Sequence, residues 1–302
     1  MALKDIKSKI KATERMHKVT RAMEAVSAVK MRKTQASALA GRAYARSAVS
    51  ILSRLSGTRH VTGHPLAEHR GGKKMALVII TSDKGLAGAL NSSVLKRAVE
   101  SLEGRAVEDV VVFAYGRKGD EFFKRRGYEV RRAIENKADE VPLRVMEELS
   151  EEVTAGFLKG DYDRVVAVYS AFKSTFEQIA TVRRLLPLSL PALTEIVEGI
   201  VPLKGKWSDE VVAAPPSSYT VEPSEEEVLS QLVPRLVAIA MYHMLLEAKA
   251  SEHSARMVAM KNASDKSKEV AHDLTRLFNK VRQAAITREV SEIVSGREAL
   301  ST

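Results

Sequence analysis

The sequence predicts an α/β protein: two long helices at the ends of the chain form an antiparallel coiled coil, and an α/β domain lies between them. Three observations carry this prediction. Both terminal segments are rich in helix-forming residues and contain very few glycines or prolines. Their apolar residues recur every three or four positions along a narrow seam. The middle of the chain alternates short apolar runs with amphipathic segments, which is typical of a parallel sheet covered by helices.

Residues 1–58 are predicted to form one continuous N-terminal coiled-coil helix. This segment lacks proline, and its first glycine is Gly41. At the standard rise such a helix is roughly 80 Å long, far beyond an ordinary globular helix. It therefore needs a partner along one seam only. The predicted seam consists of apolar residues, with Thr13 and Thr20 close to the same line: Ile6, Ile10, Met16, Val19, Met23, Val26, Leu39, Val49, Leu52 and Leu55.

The middle of the chain is predicted to be a Rossmann-like α/β domain spanning residues 75–200. Residues 59–74 precede it and are rich in turn-forming residues, so they are predicted to be a linker. Apolar runs predict buried strands at 75–81, 109–116 and 163–170, and an edge strand at 178–188. The segments between the strands predict helices at 91–102, 117–126 and 140–158.

Residues 224–302 predict a C-terminal coiled-coil helix, which follows an irregular, proline-rich connection at 201–223. Ser224 and Glu227 have the spacing of a capping box. Pro234 predicts a kink, and Gly296 predicts the C-terminal cap. The predicted seam consists of residues that mostly lie three or four positions apart: Val228, Leu232, Leu236, Ile239, His243, Leu246, Ala250, His253, Met257, Met260, Ser264, Ala271, Leu274, Phe278, Val281 and Ala285.

The positive charge of the chain is concentrated at its N-terminus. The net charge is +10 over 302 residues. The first 60 residues hold fourteen Lys and Arg against three acidic residues, which is +11, so the remainder is close to neutral. A basic arm predicts an anionic partner: nucleic acid, anionic lipid or an acidic protein surface. Because solvated helix faces are also charged, a bland solvated face remains an alternative.

Composition also limits where the protein acts. The chain has no cysteine, so it forms no disulfide and no thiolate metal site. No apolar run reaches the roughly 18 residues that a membrane span needs, and the N-terminus lacks the apolar core of a signal peptide. We therefore expect a cytoplasmic protein whose membrane association is indirect.

The turn "TSDKGLAGALN" raises the question of a phosphate site, because a strand, a glycine turn and a helix follow one another here. Gly88 is followed by Ala89 and Leu90, so the Lys and hydroxyl of a phosphate loop are missing. Only Gly85 and Gly88 are present, which excludes the dinucleotide pattern. We expect a structural turn containing Asp83, Gly85 and Gly88, with Asn91 and Ser92 as helix caps; a nucleotide-binding α/β enzyme stays as the alternative.

The histidines of the chain have a simpler interpretation than a metal site. His60, His64 and His69 cluster in the linker without the spacing of a helical metal site, so we expect solvated loop residues. His243 and His253 lie on the C-terminal seam and are expected to be packed there.

The stretch "AVKMRKTQ" at 28–35 is basic, but no aromatic residue occurs in the first 43 residues to stack on a base. A basic nucleic-acid-binding protein is therefore the second alternative.

Four blocks of the chain, in order, resemble the gamma subunit of F-type ATP synthase of the bacterial kind. The block "IKSKIKATERMHKVTRAMEAVSAVKMRKTQ" is similar to the opening helix of that family, and "TSDKGLAGALN" to its central-domain turn. The blocks "ASEHSARMVAMKNAS" and "LFNKVRQAAITREVSEIVSG" are similar to its C-terminal helix, where "RQAAIT" is the most specific motif. The cysteine-bearing regulatory insertion of chloroplast relatives is missing, which excludes thiol switching of that kind.

The resemblance implies the non-catalytic central shaft of a rotary motor. It implies that the paired helices lie inside a ring of alternating alpha and beta subunits, and that the α/β domain contacts the epsilon subunit and the c-ring. Proton or sodium flow would then turn the shaft and drive ATP synthesis at the beta subunits, on the cytoplasmic side of the cell membrane. No cofactor, metal or nucleic acid is expected. The expected ring-contacting residues lie on both terminal helices: Met23, Lys30, Arg32, Arg282, Gln283 and Thr287.

Overall fold

The computed structural model describes residues 3–40, 64–137, 143–189, 222 and 224–300. They belong to two compact units, one formed by residues 1–27 with 256–302 and the other by residues 28–255. Several predictions fall outside the described residues: the helix beyond residue 40, His60 and the rest of the linker before residue 64, and nearly all of the connection at 201–223.

The second unit contains a five-stranded sheet in the order β3-β2-β1-β4-β5. The first four strands in this order are parallel, and β5 pairs with β4 in the antiparallel sense. The four predicted strands are confirmed, including the edge position of β5. The strands are β1 (Met75–Ile80), β2 (Val110–Tyr115), β3 (Glu129–Ile134), β4 (Arg164–Phe172) and β5 (Gln178–Leu186).

Strand β3 is missing from the sequence prediction. Its residues alternate between exposed and half-buried positions, and its sequence, "EVRRAI", carries three charges. A strand at the edge of a sheet lacks a neighbour on one side, so it does not need the continuous apolar run by which buried strands are recognised. Its two arginines are paired instead: Arg131 with Asp161 at 2.8 Å and Arg132 with Glu152 at 2.9 Å.

Helices cover both faces of the sheet. They are α2 (Leu90–Ser101), α3 (Arg117–Arg125) and α4 (Leu143–Lys159), each within three residues of its predicted bounds. Alternate residues of β1 point to opposite faces. Leu77 and its neighbours on one face pack with α2 and α3, and Val78 and its neighbours on the other face pack with α4 and the C-terminal helix. Because β1 is buried on both faces, all six of its residues are apolar.

The C-terminal helix α5 spans Glu225–Leu300 without interruption. The backbone N–H of Glu227 donates to the hydroxyl of Ser224 at 3.2 Å, which confirms the first half of the capping box. The helix continues through Pro234 and past Gly296, so the prediction of a C-terminal cap at Gly296 is wrong. Side chains from Leu229 to Ala248 belong to the core between helix and sheet, so burial here is much broader than a narrow seam.

The apolar first half of α5 also bears on the prediction that no segment could span a membrane. Between Glu226 and Arg297 the helix contains an 18-residue window with a mean hydropathy of 1.4, which meets the criterion for a candidate span by length and composition. Within the structure 56% of that window is buried. One such helix is weak evidence for a span, because the core helices of soluble proteins have the same composition.

The N-terminal helix α1 spans Leu3–Ala40. Ile6 is buried as predicted, but Met16, Val19 and Val26, assigned to the seam, are 57%, 57% and 54% exposed. That part of the prediction is wrong. The seam of α1 instead includes polar side chains; its residues recur at intervals of three and four, and each is buried or half-buried: Ile6, Ile10, Thr13, His17, Thr20, Glu24, Ser27, Met31 and Thr34.

The seam of α1 accommodates polar residues because their hydroxyls are satisfied within the helix. Thr20 donates to the carbonyl of Met16 at 2.9 Å, Ser27 to that of Met23 at 2.7 Å, and Thr34 to Lys30 at 3.0 Å. A buried hydroxyl that is hydrogen-bonded in this way does not carry the cost of an unsatisfied group. On α5 the predicted seam from Met257 to Ala285 is confirmed, since every predicted member is buried or half-buried.

Candidate functional site

The turn after β1 is held together by side-chain hydrogen bonds. Thr81, Ser82 and Asp83 directly follow the strand and are all buried. The amide of Asn91 donates to the Ser82 hydroxyl at 2.7 Å and accepts from the Ser82 backbone N–H at 3.1 Å. The Ser82 hydroxyl in turn donates to the carbonyl of Lys84 at 2.6 Å. The turn is therefore tied to the first turn of α2.

The predicted helix caps are not used as caps. Helix α2 begins at Leu90 with Ala89 at the N-cap position, where no side chain supplies a capping bond. Asn91 reaches back to Ser82 instead, and the Ser92 hydroxyl donates to the carbonyl of Ala89 at 2.8 Å. The prediction of Asn91 and Ser92 as caps is wrong, because the tertiary bond to Ser82 takes the side chain that local sequence would assign to the helix start.

Asp83 joins three parts of the domain. Its Oδ1 accepts from the backbone N–H of Arg117 at 2.7 Å and from that of Asn136 at 3.0 Å. Arg117 is the first residue of α3, so the carboxylate satisfies one of the N–H groups that a helix start leaves without a partner, and it lies at the positive end of the helix dipole. Burial, together with the charge of Asp83, raises the pKa of Tyr115 to about 12. Asp83 therefore connects the turn to the start of α3 and to the segment after β3.

The backbone conformation of the turn requires glycine at only one of its two predicted positions. Gly88 has a φ of 58°, which favours glycine. Gly85 has no such φ, and a Cβ at that position would meet nothing within 4 Å. Leu86, between them, has a φ of 63° and is 64% exposed. Of the two glycines expected in the turn, only Gly88 therefore has a backbone conformation that favours glycine.

Gly116 is the glycine that sequence reasoning missed. It follows β2, has a φ of 104°, and a Cβ there would overlap the carbonyl group of Thr81. Its backbone N–H donates to the carbonyl of Ile134 at 2.7 Å. The only signal in the sequence is a glycine directly after an apolar run, which is too common to reveal the close approach of two backbones.

Helix α5 lies over the carboxyl ends of the strands. In sheets of this type a ligand binds where the strand order reverses, which is between β1 and β4 here. The Ser251 hydroxyl donates to the carbonyl of Ser170 at 3.0 Å near the end of β4. The amide of Asn136 donates to the carbonyl of Thr81 at 2.9 Å and approaches Oε2 of Glu252 at 3.5 Å. The chain's own helix therefore contacts the place where a nucleotide would be held.

The histidines do not form a metal site among the described residues, where no group of three potential ligands occurs. Nδ1 of His64 accepts from the backbone N–H of Leu66 at 3.1 Å and caps a short 3₁₀ turn, and burial lowers the pKa of His64. His69 is exposed. His243 and His253 are buried on α5, as predicted.

The predicted ring-contacting residues fall in both units. Arg282, Gln283 and Thr287 are exposed on α5 in the first unit, and the Thr287 hydroxyl donates to the carbonyl of Gln283 at 3.0 Å. Met23 belongs to the same unit and is half-buried. Lys30, half-buried, and Arg32, exposed, belong to the second unit. The lysines and arginines from Lys4 to Arg21 on α1 are all exposed.

Comparison with known proteins supports one family throughout the chain. A family model described as ATP synthase matches residues 2–300. The chain is 40% identical to the ATP synthase gamma chain of Roseiflexus sp. (strain RS-1), covering 99% of this chain and 98% of the relative. It is 37% identical to the ATP synthase gamma chain of Pelotomaculum thermopropionicum, with 99% of each chain covered.

Solved structures show the same fold. A chain from the central stalk and c-ring of the Tetrahymena thermophila mitochondrial ATP synthase matches with a TM-score of 0.60 and 27% identity, covering 82% of this chain and 99% of that one. A chain from the Euglena gracilis mitochondrial ATP synthase, in its OSCP/F1/c-ring assembly, matches with a TM-score of 0.66 and 18% identity, covering 99% and 94%. The predicted fold class, an antiparallel coiled coil with an α/β domain, is confirmed. The chain belongs to the gamma-subunit family of F-type ATP synthase.

Proposed function

We propose that this chain is the central rotor shaft of an F-type ATP synthase, coupling proton or sodium flow through a c-ring to ATP synthesis at the beta subunits. The observation that carries the proposal is the change in burial along the 76-residue helix α5. Its first half is packed into the α/β domain, whereas beyond residue 260 only a heptad seam is covered. A helix that is anchored at one end and exposes most of its surface at the other suits a shaft inside a ring.

The chain acts without chemistry of its own in this proposal. In the turn at 82–88, the backbone N–H of Ser82 donates to the amide oxygen of Asn91, and Oδ1 of Asp83 accepts from the backbone N–H of Arg117. Ser251 and Glu252 of α5 contact the carboxyl edge where an enzyme of this architecture would bind its ligand. Nucleotide binding and catalysis therefore belong to partner subunits, and the chain needs no cofactor.

The exposed end of α5 contacts the alpha/beta ring in this proposal. Arg282 offers a planar set of donors that matches a carboxylate, and Gln283 and Thr287 are exposed beside it. Met23, Lys30 and Arg32 contribute from α1. Exposed ion pairs are worth only about 0–1 kcal/mol each, which suits contacts that form and break as a shaft turns.

The α/β domain, residues 75–200, contacts the epsilon subunit and the c-ring. A chain of this family in the Tetrahymena thermophila enzyme was solved as part of a central stalk with a c-ring, which supports this placement. The protein then associates with the cell membrane peripherally, on its cytoplasmic side, through its partners. The basic face of α1, whose lysines and arginines from Lys4 to Arg21 are exposed, finds its anionic partner in acidic protein loops rather than in nucleic acid.

Co-expression with alpha and beta subunits of the same organism tests the proposal. We expect a co-purifying complex whose ATP hydrolysis is accompanied by rotation of this chain. A probe attached at Lys96, which is exposed on α2, would report that rotation, and this chain has no native cysteine to compete for a thiol label. Recovery of this chain separately from the alpha and beta subunits would contradict the proposal.

The same preparation decides between this function and its alternatives. Calorimetry of the isolated chain with ATP should show no binding at micromolar concentrations, whereas a nucleotide-dependent enzyme would bind. Duplex DNA should not be retained at physiological salt, where phosphate-dominated binding weakens steeply. Saturable binding in either experiment would favour the corresponding alternative.

A further inference from the structure

The hairpin of β4 and β5 extends beyond the rest of the sheet. The ladder between β1 and β4 ends at the pair Ile79 and Val168, yet β4 continues for four more residues to Phe172. At about 3.4 Å per residue the two strands extend about 14 Å past that ladder. We call residues 169–181 the hairpin arm; its strands pair from Tyr169 with Thr181 to Phe172 with Gln178.

The tip of the hairpin arm is closed by its own hydrogen bonds. The backbone N–H of Lys173 donates to the carbonyl of Glu177 at 3.2 Å. The N–H of Glu177 donates to the hydroxyl of Ser174 at 3.1 Å, and that of Phe176 to the same hydroxyl at 3.3 Å. The ladder and the bonds at the tip therefore connect the two strands along the whole length of the arm.

The hairpin arm is attached to α5 by two serines. The Ser251 hydroxyl donates to the carbonyl of Ser170 at 3.0 Å, and the Ser254 hydroxyl donates to the carbonyl of Thr175 at 2.6 Å. Both serines are completely buried. Gln178 adds a longer contact to Ser254 at 3.5 Å. The two bonds therefore hold the base and the tip of the arm.

These contacts lie on one face of the helix. Ser251 and Ser254 follow Glu247 at positions i+4 and i+7, which stack on the same side. Burial raises the pKa of Tyr169, at the base of the arm, and the adjacent Glu247 adds to the rise. This polar face continues the apolar face of α5 that packs with Tyr169 and Ala171 in the core.

Polar and apolar contacts resist different movements. Apolar burial is non-directional, so the rotation of an apolar helix is set by the shapes of the packed side chains alone. A hydroxyl-to-carbonyl hydrogen bond weakens steeply when its angle is lost. Two such bonds, separated along the arm, hold the helix at a fixed rotation about its own axis.

We propose that Ser251 and Ser254 are positioning residues that set the rotational angle of α5 on the α/β domain. In this proposal the hairpin arm transmits torque between α5 and the rest of the α/β domain. This inference rests on the proposed shaft function. If the bonds carry load, removing them makes the shaft twist more easily without changing which subunits assemble or how each beta site hydrolyses ATP.

The test uses the complex with alpha and beta subunits, its ring immobilised and a probe attached through Lys96→Cys on the α/β domain. In Ser251→Ala with Ser254→Ala we expect the angular variance of the probe during nucleotide dwells to roughly double, while ATP hydrolysis without load stays close to wild type and the unfolding temperature falls by a few degrees, as the loss of two hydrogen bonds entails. Ser267→Ala is the matched control, because that hydroxyl donates within α5 to the carbonyl of Ala263 at 2.7 Å.

Angular variance equal to that of the parent complex would overturn the inference and leave the shaft function intact, whereas a parent complex that does not rotate would overturn the shaft function itself.

A second variant guards against failure to fold: Thr175→Cys with Ser254→Cys, joined by a short thiol cross-linker. Rotation should persist after cross-linking, because the arm and the helix do not move relative to each other. Loss of rotation on cross-linking would also contradict the inference.

Discussion

His17 on α1 lies against Ser264 on α5, with Nδ1 of the imidazole 3.0 Å from both the backbone oxygen and the hydroxyl of the serine. Both residues occupy seam positions, His17 half-buried and Ser264 buried. A polar contact at a seam specifies which turns of two helices face each other, since a shift in register would leave its polar groups unpaired. The contact therefore fixes the register of α1 against α5. Neighbouring hydroxyls such as those of Thr20 and Ser267 do not, because they donate to carbonyls of their own helix.

Replacing His17 by alanine should lower the free energy of unfolding by about 0.5–1.5 kcal/mol, the usual net value of one hydrogen bond. Urea denaturation followed by circular dichroism measures this. Lys18→Ala is the control: its side chain is exposed, so it should stay within about 0.5 kcal/mol of wild type. Equal loss in both variants would mean that the contact with Ser264 is not responsible.

Gly116→Ala should destabilise the domain by at least about 3 kcal/mol, because it adds the cost of a positive φ to an overlap with the Thr81 carbonyl. Gly85→Ala should leave stability within about 0.5 kcal/mol, since its Cβ would occupy open space. Thermal unfolding of the two variants side by side is the measurement. Comparable losses at both positions would contradict the assignment of the constraint to Gly116.

Tyr115 should ionise only near pH 12, against an ordinary value of 10. The folded state favours the neutral phenol, so this contribution to stability is complete below pH 10 and is lost as pH rises toward the folded pKa. The near-ultraviolet difference titration between wild type and Tyr115→Phe isolates this group. Asp83→Asn should lower the pKa only part of the way toward 10, because burial is the larger cause; a complete return would show that the charge dominates.

Arg282→Ala combined with Gln283→Ala should lower the torque of the complex and slow its coupled ATP synthesis about tenfold, a change in rate that corresponds to about 1.4 kcal/mol of activation free energy. Both side chains are exposed, so the unfolding free energy should change by less than about 0.5 kcal/mol. Arg276→Ala, exposed on the same helix outside the predicted contact set, is the control. Unfolding of the double variant under assay conditions would show a structural role instead.

Hydrophobic periodicity predicted element type well and side-chain surroundings less well. The runs around β1, β2 and β4 are buried on both faces, so composition alone identifies them as strands. Strand β3 is stabilised by ladder bonds and ion pairs at the sheet edge, and neither leaves an apolar run. On α1, the prediction assigned Met16, Val19 and Val26 to the seam, but these side chains are exposed. Thr20 and Ser27 lie in the seam instead, because their hydroxyls donate to carbonyls of the same helix.

Two kinds of observation favour a structural turn over a phosphate site. The missing Lys and hydroxyl after Gly88 are visible in the sequence and exclude a phosphate loop. The engagement of Asp83 with Arg117 and Asn136 links residues 34 and 53 positions apart, which no local pattern encodes. The placement of Ser251 and Glu252 over the carboxyl edge depends on how the helix packs against the sheet.

By itself, the sequence determined the long terminal helices, the α/β domain between them and the family, because periodicity and motifs are local properties of the chain. Only the tertiary structure decided that Gly116 and not Gly85 is sterically required, that His17 meets Ser264, and that α5 is held to the hairpin arm by Ser251 and Ser254. Each of these depends on two segments far apart in sequence approaching within hydrogen-bonding or van der Waals distance, and that approach is set by the packing of the whole chain.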